Sequence, residues 1–166
     1  VVKGPSGDNG RGGAGGYVNI VPKTPHANQA YVGEISVGAD EYDSDNRLRA
    51  TLDLNQPMAP DVAGRLNILW EDSGVAGRQV ASRNSFGIAP SMAFGIGTPT
   101  RIIVSGQYVV QDDTPDWGVP TALIKDMLRH DPAVDGEALR DTFYGLAADY
   151  DEVDSLVALA RVEHAF

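Results

Sequence analysis

The feature that most constrains the fold of this chain is the alternation of apolar and polar residues along its middle. From Leu48 to Asn55 the residues read LRATLDLN, with apolar residues at the even positions and mostly polar ones at the odd positions. Successive side chains of a β-strand point to opposite faces, so this segment predicts a strand with one apolar and one polar face. Similar segments begin near residues 31, 65, 86, 101 and 155. We therefore predict an all-β fold with about six strands.

The apolar residues of these other segments also fall on one side of each strand, with Leu69 as an exception. The apolar sets are Tyr31, Ile35 and Val37, then Leu66, Ile68 and Trp70, then Phe86, Ile88, Met92, Phe94 and Ile96, then Ile102, Val104, Tyr108 and Val110, and finally Leu156, Ala158, Ala160 and Val162.

The connections between the predicted strands alternate between short and long. The connections at 56–64 and 95–99 are short and rich in Pro and Gly, whereas those at 39–46, 71–84 and 112–153 are longer and acidic or polar. An antiparallel meander with short turns at one end and long loops at the other is typical of transmembrane β-barrels. We therefore expect the strands to form part of such a barrel.

The longest connection contains two short helical patterns, TALIKDMLR at 121–129 and GEALRDTFYGLA at 136–147. Each is about ten residues long, and isolated helices of that length are marginal in water. We expect two small helices in a long outer loop, packed on the rim of the barrel or on each other.

Composition excludes several classes of function. The chain has 13 Lys and Arg against 23 Asp and Glu, a net charge of −10, and this argues against a nucleic-acid partner because phosphate binding needs clustered cations. The absence of cysteine excludes disulfides and thiolate metal sites. Asp112 and Asp113 have no His, Ser or Cys neighbour in the sequence, and no catalytic constellation is visible, so we predict that the chain is not an enzyme.

Three apparent ligand-binding features are better explained without a ligand. GRGGAG at 10–15 matches the dinucleotide fingerprint, but that motif needs a strand before it and a helix after it, and neither is predicted here. His26, His130 and His164 share no metal-ligand spacing, so we predict no metal site. The acidic stretch DEYDSDN at 40–46 lacks the EF-hand glycine and glutamate, which favours a solvated loop over loose divalent-cation binding.

The glycine-rich opening from Lys3 to Pro25 resembles the end of the plug domain of TonB-dependent outer-membrane receptors. The residues that carry this resemblance are Lys3, Gly4, Pro5, Gly10, Gly12, Gly15, Gly16, Asn19, Ile20, Val21, Lys23 and Pro25. The later segments NRLRATLDLNQPM, RLNILWEDS, FGIAPSMAF and QDDTPDWGVP look like the first barrel segments of the siderophore-receptor branch. The resemblance covers nearly the whole chain.

The resemblance implies an organisation, a location and partners. Residues 1–27 would be the C-terminal end of the plug domain and residues 28–166 the first strands of a barrel of roughly 22. The chain starts at Val1 without a Met and stops within a predicted strand, so we expect a fragment. The family imports ferric siderophores through the bacterial outer membrane with energy from the TonB complex. This chain would lack the N-terminal part that contacts TonB, and iron would be carried only as the siderophore complex, without a cofactor.

Site residues follow from the alternation and the resemblance. Gly10, Gly12, Gly15, Gly16 and Asn19 would be a packing motif of the plug, because glycine permits positive φ and close backbone approach. The polar side of the strands would face the bore, either as a hydrogen-bonded lining that holds the plug or as ligand contacts; its residues are Arg49, Asp53, Arg65, Glu71, Gln107, Gln111, Arg161 and Glu163. Near the outer mouth, Trp117 and Tyr144 are the strongest candidates for siderophore contact, and Gln107 and Gln111 are further candidates.

Two further expectations can be tested against a structure. A soluble β-sandwich serving as an adhesion or carbohydrate-binding module would have similar strands, but its apolar sets would pack into one shared core. A barrel wall would instead turn Leu52, Ile68, Phe94 and Val104 away from the plug segment. Pro90 lies inside a strand pattern, where its missing N–H should interrupt the ladder, and we expect a local bulge there.

Overall fold

The computed structural model describes residues 2–4, 15–18, 21–39, 45–118, 142–146 and 148–166. These residues form two sheets. The small sheet pairs β1 (Val2–Lys3) with β2 (Gly16–Tyr17). The large sheet contains β3 (Ala30–Gly38), β4 (Arg47–Ala59), β5 (Val62–Gly74), β6 (Ser82–Phe94), β7 (Thr100–Asp113) and β8 (Asp151–His164). Within the described ranges, no helix is long and apolar enough to pass through a bilayer.

The large sheet is a six-stranded antiparallel meander in the described part of the chain, with the order β3-β4-β5-β6-β7-β8. Every strand therefore pairs with its neighbours in sequence, as the alternating segments predicted. The short connections join β4 to β5 through residues 60–61 and β6 to β7 through residues 95–99. The long connections lie at the opposite end of the sheet. The predicted sorting of connections by length is confirmed.

The register places the predicted apolar sets on one face, except Ile96, which lies beyond the end of β6 in the connection to β7. Leu52 lies opposite Ile68, which lies opposite Ile88, and Ile88 lies opposite Tyr108. Since directly opposed residues share a face, the even positions along the middle of β4 to β8 form one continuous apolar surface. Leu52, Phe94 and Val104 are 37%, 40% and 49% exposed, so no second layer of the described residues packs on this surface. The shared core that a soluble β-sandwich requires is absent from the described residues.

The strands extend further than the alternation predicted. β7 continues to Asp113 and β8 begins at Asp151, and these two residues are paired in the ladder. The apolar pattern stops where side chains would enter water, but backbone pairing continues beyond that point. Strands of 13 or 14 residues exceed the ~9–11 that cross the hydrocarbon core, so their ends project into water.

Pro90 interrupts the ladder between β6 and β7 without a bulge. Ile88 pairs with Tyr108 and Ser91 with Ser105, so the register is the same on both sides and no residue is inserted. The predicted bulge is therefore wrong. The missing proline N–H removes a ladder bond but does not displace the strand. A cavity of about 310 Å³ on the polar side is lined by Pro90 and Gly106, which leaves the interrupted backbone open to water.

The first predicted helix, at 121–129, lies outside the described residues, as does most of the second. Residues 142–146 of the second pattern are described and contain no helical turn, so the helix prediction is wrong there. The Asp149 backbone N–H donates to the Leu146 carbonyl at 2.9 Å, and the Leu146 N–H donates to Asp149 Oδ2 at 2.9 Å. These bonds form a closed turn in place of helical bonding.

Candidate functional site

The polar face of the large sheet binds the segment of residues 21–29, which connects the small sheet to β3. We call residues 21–29 the connecting segment. Its contacts come from polar residues of β4, β5 and β7, all on the face opposite the apolar surface. Pro25, at the middle of the segment, is fully buried. Leu52, Ile68, Phe94 and Val104 therefore face away from this segment, as a barrel wall predicts.

Asn55 makes the densest set of bonds to the connecting segment. Its Oδ1 accepts the His26 backbone N–H at 3.0 Å, and its Nδ2 donates to the carbonyls of His26 at 2.9 Å and Asn28 at 2.6 Å. Only 1% of Asn55 is exposed. A buried side-chain amide in this position replaces the backbone partners that an irregular segment would otherwise lack.

Asp53 and Arg65 form a second attachment point. The two side chains lie on adjacent strands and are joined by two parallel hydrogen bonds, at 2.8 Å to Oδ1 and 2.7 Å to Oδ2 of Asp53. Arg65 Nη1 also donates to the Thr24 carbonyl at 2.9 Å, and Lys23 Nζ bonds Asp53 Oδ2 at 2.7 Å. This bidentate pairing fixes the guanidinium plane so that its remaining N–H points at the connecting segment.

Arg101, at the start of β7, completes the attachment. Its Nη2 donates to the Pro25 carbonyl at 2.7 Å. Farther from the segment, Arg49 pairs with Glu71 at 2.9 Å and Arg161 with Glu163 at 3.2 Å. The predicted inward-facing charges thus lie on the polar face, and Asp53 and Arg65 bind the connecting segment. Sequence reasoning missed Asn55 and Arg101 as binding residues, although strand parity already placed Asn55 on the polar face.

A second cluster lies at the end of the sheet that has the long connections. Arg78 Nε donates to Asp116 Oδ2 at 3.0 Å, and the Gly118 N–H donates to Asp116 Oδ1 at 2.9 Å. Burial raises the pKa of Asp116, but the Gly118 hydrogen bond and the bond and charge of Arg78 outweigh it, so the pKa lies below its ordinary value. The carboxylate therefore holds the start of the longest connection to the 75–81 connection.

Trp117 and Tyr144 also lie at the end of the sheet that has the long connections, which we call the outer rim. The Trp117 side chain is largely exposed, and its Nε1 donates to Asp149 Oδ2 at 3.0 Å, the oxygen that also accepts the Leu146 N–H. Asp149 thus joins the two ends of the longest connection. The Tyr144 hydroxyl is buried and has no hydrogen-bond partner among the described residues.

Gln107 and Gln111 lie on the polar face of β7. Gln107 is exposed and lines a cavity of about 330 Å³ together with Lys23 and Arg49. Gln111 is four residues closer to the outer rim, where its Nε2 donates to Ser85 Oγ at 3.5 Å. The structure therefore places the predicted contact residues at two depths, with Gln107 in the bore and the other three at or near the rim.

The predicted plug motif is only partly described. Gly16 has φ +102° and pairs with Lys3, and an added Cβ would lie 2.0 Å from the Val2 carbonyl oxygen. Glycine is therefore required at this close approach of two backbones. Gly15, next to it, lies in the turn that leads into β2. Gly10, Gly12 and Asn19 lie outside the described residues.

The histidines are separated in the structure. His26 lies in the connecting segment, His164 Nδ1 is 2.8 Å from Thr100 Oγ1, and His130 lies outside the described residues. Among the described residues, no group of three or more potential ligands could hold a metal ion. Most of the acidic stretch at 40–46 also lies outside them.

The fold and this site together define a class of protein. A single antiparallel sheet with one apolar outer face, and a polar face that holds an internal segment, is part of the wall of a transmembrane β-barrel with a domain inside it. The comparisons with known proteins agree. The catecholate siderophore receptor Fiu of Escherichia coli K12 is 35% identical over an alignment of 174 positions, which covers 99% of this chain and 22% of that receptor.

Other similar proteins point to the same family. The probable TonB-dependent siderophore receptor PiuA of Acinetobacter baumannii is 32% identical, over 93% of this chain and 20% of that protein. The crystal structure of the ferric-catecholate import receptor Fiu in its closed form matches with a TM-score of 0.80 and 34% identity, covering 99% of this chain and 23% of that one. No family model matches the chain.

The chain belongs to the TonB-dependent receptors, and its location is the bacterial outer membrane. It spans about a fifth of the length of the curated relatives it matches. The similar proteins are transport receptors, and the soluble adhesion or carbohydrate-binding module that we considered from the sequence is wrong.

Proposed function

We propose that this chain is part of a receptor that binds ferric siderophores and imports them with energy from the TonB complex. The observation that carries the proposal is the attachment of the connecting segment to the polar face through Asn55, Arg65 and Arg101. A barrel that closes around such a segment keeps an internal domain in the bore. An importer needs such a domain, because the bore must stay blocked except during transport. Residues 1–27 would be the end of that plug, and residues 28–166 the first strands of the barrel.

The cargo and the energy source are supported by the similar proteins. One of them is named a catecholate siderophore receptor and the other a probable TonB-dependent siderophore receptor. Contact with TonB would come from a part of the protein outside this chain, and iron would enter only as the siderophore complex, without a resident cofactor. Trp117, Tyr144 and Gln111 at or near the rim, and Gln107 in the bore, are the proposed cargo contacts, since aromatic faces and amides suit a catecholate complex.

Iron uptake by the full-length protein tests this proposal. We expect a strain that lacks its own catecholate receptors to accumulate iron-55 from a ferric catecholate complex when it expresses the full-length protein. Uptake should fall to background in an otherwise identical strain without TonB, because the plug then stays in place. A hydroxamate complex of iron-55 serves as the matched cargo control. Uptake that persists without TonB, or the absence of uptake of every ferric siderophore tried, would contradict the proposal.

A further inference from the structure

The apolar face of the sheet contains a groove beside the interrupted ladder at Pro90. Its volume is about 400 Å³. The residues that line it are Pro90, Ser91, Met92, Phe94, Val104, Ser105 and Gly106. The groove opens on the same surface as Leu52 and Ile68, which places it on the outside of the wall and not in the bore.

The shape of the groove follows from the residues at its floor and walls. At the floor, Pro90 faces Gly106, and the partner of Gly106 on β8 is Ala158, so little side chain projects from this row. On the side toward the short turns, Met92 lies opposite Val104, and these larger side chains rise above the floor. Met92 is 38% exposed and Val104 49%, so both present apolar surface to whatever fills the groove.

The groove is continuous with the surface that meets lipid, and this identifies its occupant. A hydrocarbon chain fills an apolar depression without leaving polar groups unpaired, whereas a polar ligand would lose its hydrogen bonds there. Pro90 is four residues from the end of β6 at the short turn and eight from its other end. If short turns face the periplasm, as is general for bacterial barrels, the groove lies in the inner half of the membrane.

We propose that this groove holds one acyl chain of an inner-leaflet phospholipid. The acyl chain fills the space that the small residues Gly106 and Ala158 leave empty, at the point where the ladder between β6 and β7 is interrupted. The proposal rests on the outer-membrane orientation of the receptor described above.

The test uses the full-length protein in vesicles of a phosphatidylethanolamine that carries a photoactivatable diazirine on its acyl chain. Cross-linked residues are located by peptide mass spectrometry. We expect cross-links to be concentrated at Met92 and Val104 relative to Leu52, whose exposed fraction of 37% is close to that of Met92. An even distribution over the three positions would overturn the proposal, as would preferential capture of a diazirine-labelled lipopolysaccharide chain in the groove.

Filling the groove provides the matched variant. Gly106→Leu should reduce cross-linking at Met92 and Val104 several-fold and leave Leu52 unchanged. A Cβ at Gly106 would lie 3.9 Å from Pro90 Cγ and from the Val157 carbonyl oxygen, an ordinary contact distance, so the variant should fold. Gly33→Leu adds the same side chain to the same face, away from the groove, and should have no effect at Met92 and Val104. Unchanged cross-linking in Gly106→Leu would overturn the proposal.

The same experiment separates failure of the groove from failure of the membrane orientation. If the apolar face does not meet lipid at all, Leu52 also fails to cross-link. If only the groove is wrongly assigned, Leu52 cross-links normally and the groove shows no preference.

Discussion

Replacing Asn55 with alanine should release the connecting segment from the wall of the barrel. The change removes three hydrogen bonds, one that Asn55 accepts and two that it donates. It leaves the His26 N–H and the carbonyls of His26 and Asn28 without their partner. Each buried group left unpaired costs about 1–3 kcal/mol, and partial hydration through the bore should limit the total to about 3 kcal/mol. Since 1.4 kcal/mol corresponds to a factor of ten in an equilibrium constant, a loss of about 3 kcal/mol should make local opening roughly 100-fold more frequent.

Hydrogen–deuterium exchange of the full-length protein measures this opening. The His26 amide should exchange about 100-fold faster in Asn55→Ala than in the parent protein, while amides within β5 and β6 should be unaffected. Asn67→Ala is the matched control. Asn67 has the same side chain on the same polar face, and it lies directly opposite Asp53 in the register. It forms no hydrogen bond with the connecting segment in the described part of the structure. Equal exchange at His26 in both variants would show that Asn55 does not hold the segment.

Breaking the pair between Asp53 and Arg65 should destabilise the folded protein by at least as much. Both side chains are largely buried, 13% and 14% exposed. Removing one partner from such a pair leaves an uncompensated charge and costs about 3 kcal/mol or more. Arg65→Met also removes the bond to the Thr24 carbonyl. Lys23→Met should cost less than about 1 kcal/mol, because the Lys23 side chain is 63% exposed and water screens its charge.

A double-variant cycle in urea unfolding separates the pair from the individual side chains. Asp53→Asn, Arg65→Met and the combination are compared with the parent protein. The combined loss should be smaller than the sum of the two single losses by about 2 kcal/mol, since the second change no longer breaks a pair. Additive losses would mean that the two residues act independently, and the bidentate geometry would then have no energetic role.

The sequence predicted the faces of the sheet better than its contacts. The alternation at Leu52, Ile68 and Phe94 is sufficient to place these residues on one side, because a one-residue slip in register would move a whole apolar set to the polar face. The strand ends could not be predicted, since Asp113 and Asp151 carry no apolar pattern although their backbones pair.

The attachment of the connecting segment could not be predicted from the sequence, for a different reason. Parity places Asp53, Asn55 and Asn67 equally on the polar face, and only Asn55 comes within reach of the backbone at His26. That partner lies 29 residues away in an irregular segment, so no local pattern marks it. The error at Pro90 has a simpler cause. A missing N–H removes a bond but does not insert a residue, so a bulge was not required.

Whether the even positions of β4 meet hydrocarbon is tested most directly by a spin-label scan of residues 48–55 in the full-length protein reconstituted in bilayers. Collisions with dissolved oxygen report exposure to lipid, and collisions with a water-soluble nickel chelate report exposure to the bore. Positions 48, 50, 52 and 54 should be accessible to oxygen and positions 49, 51 and 53 to the chelate or to neither, with position 55 buried under the connecting segment. Low oxygen accessibility at all eight positions would contradict the placement of this sheet in the membrane wall.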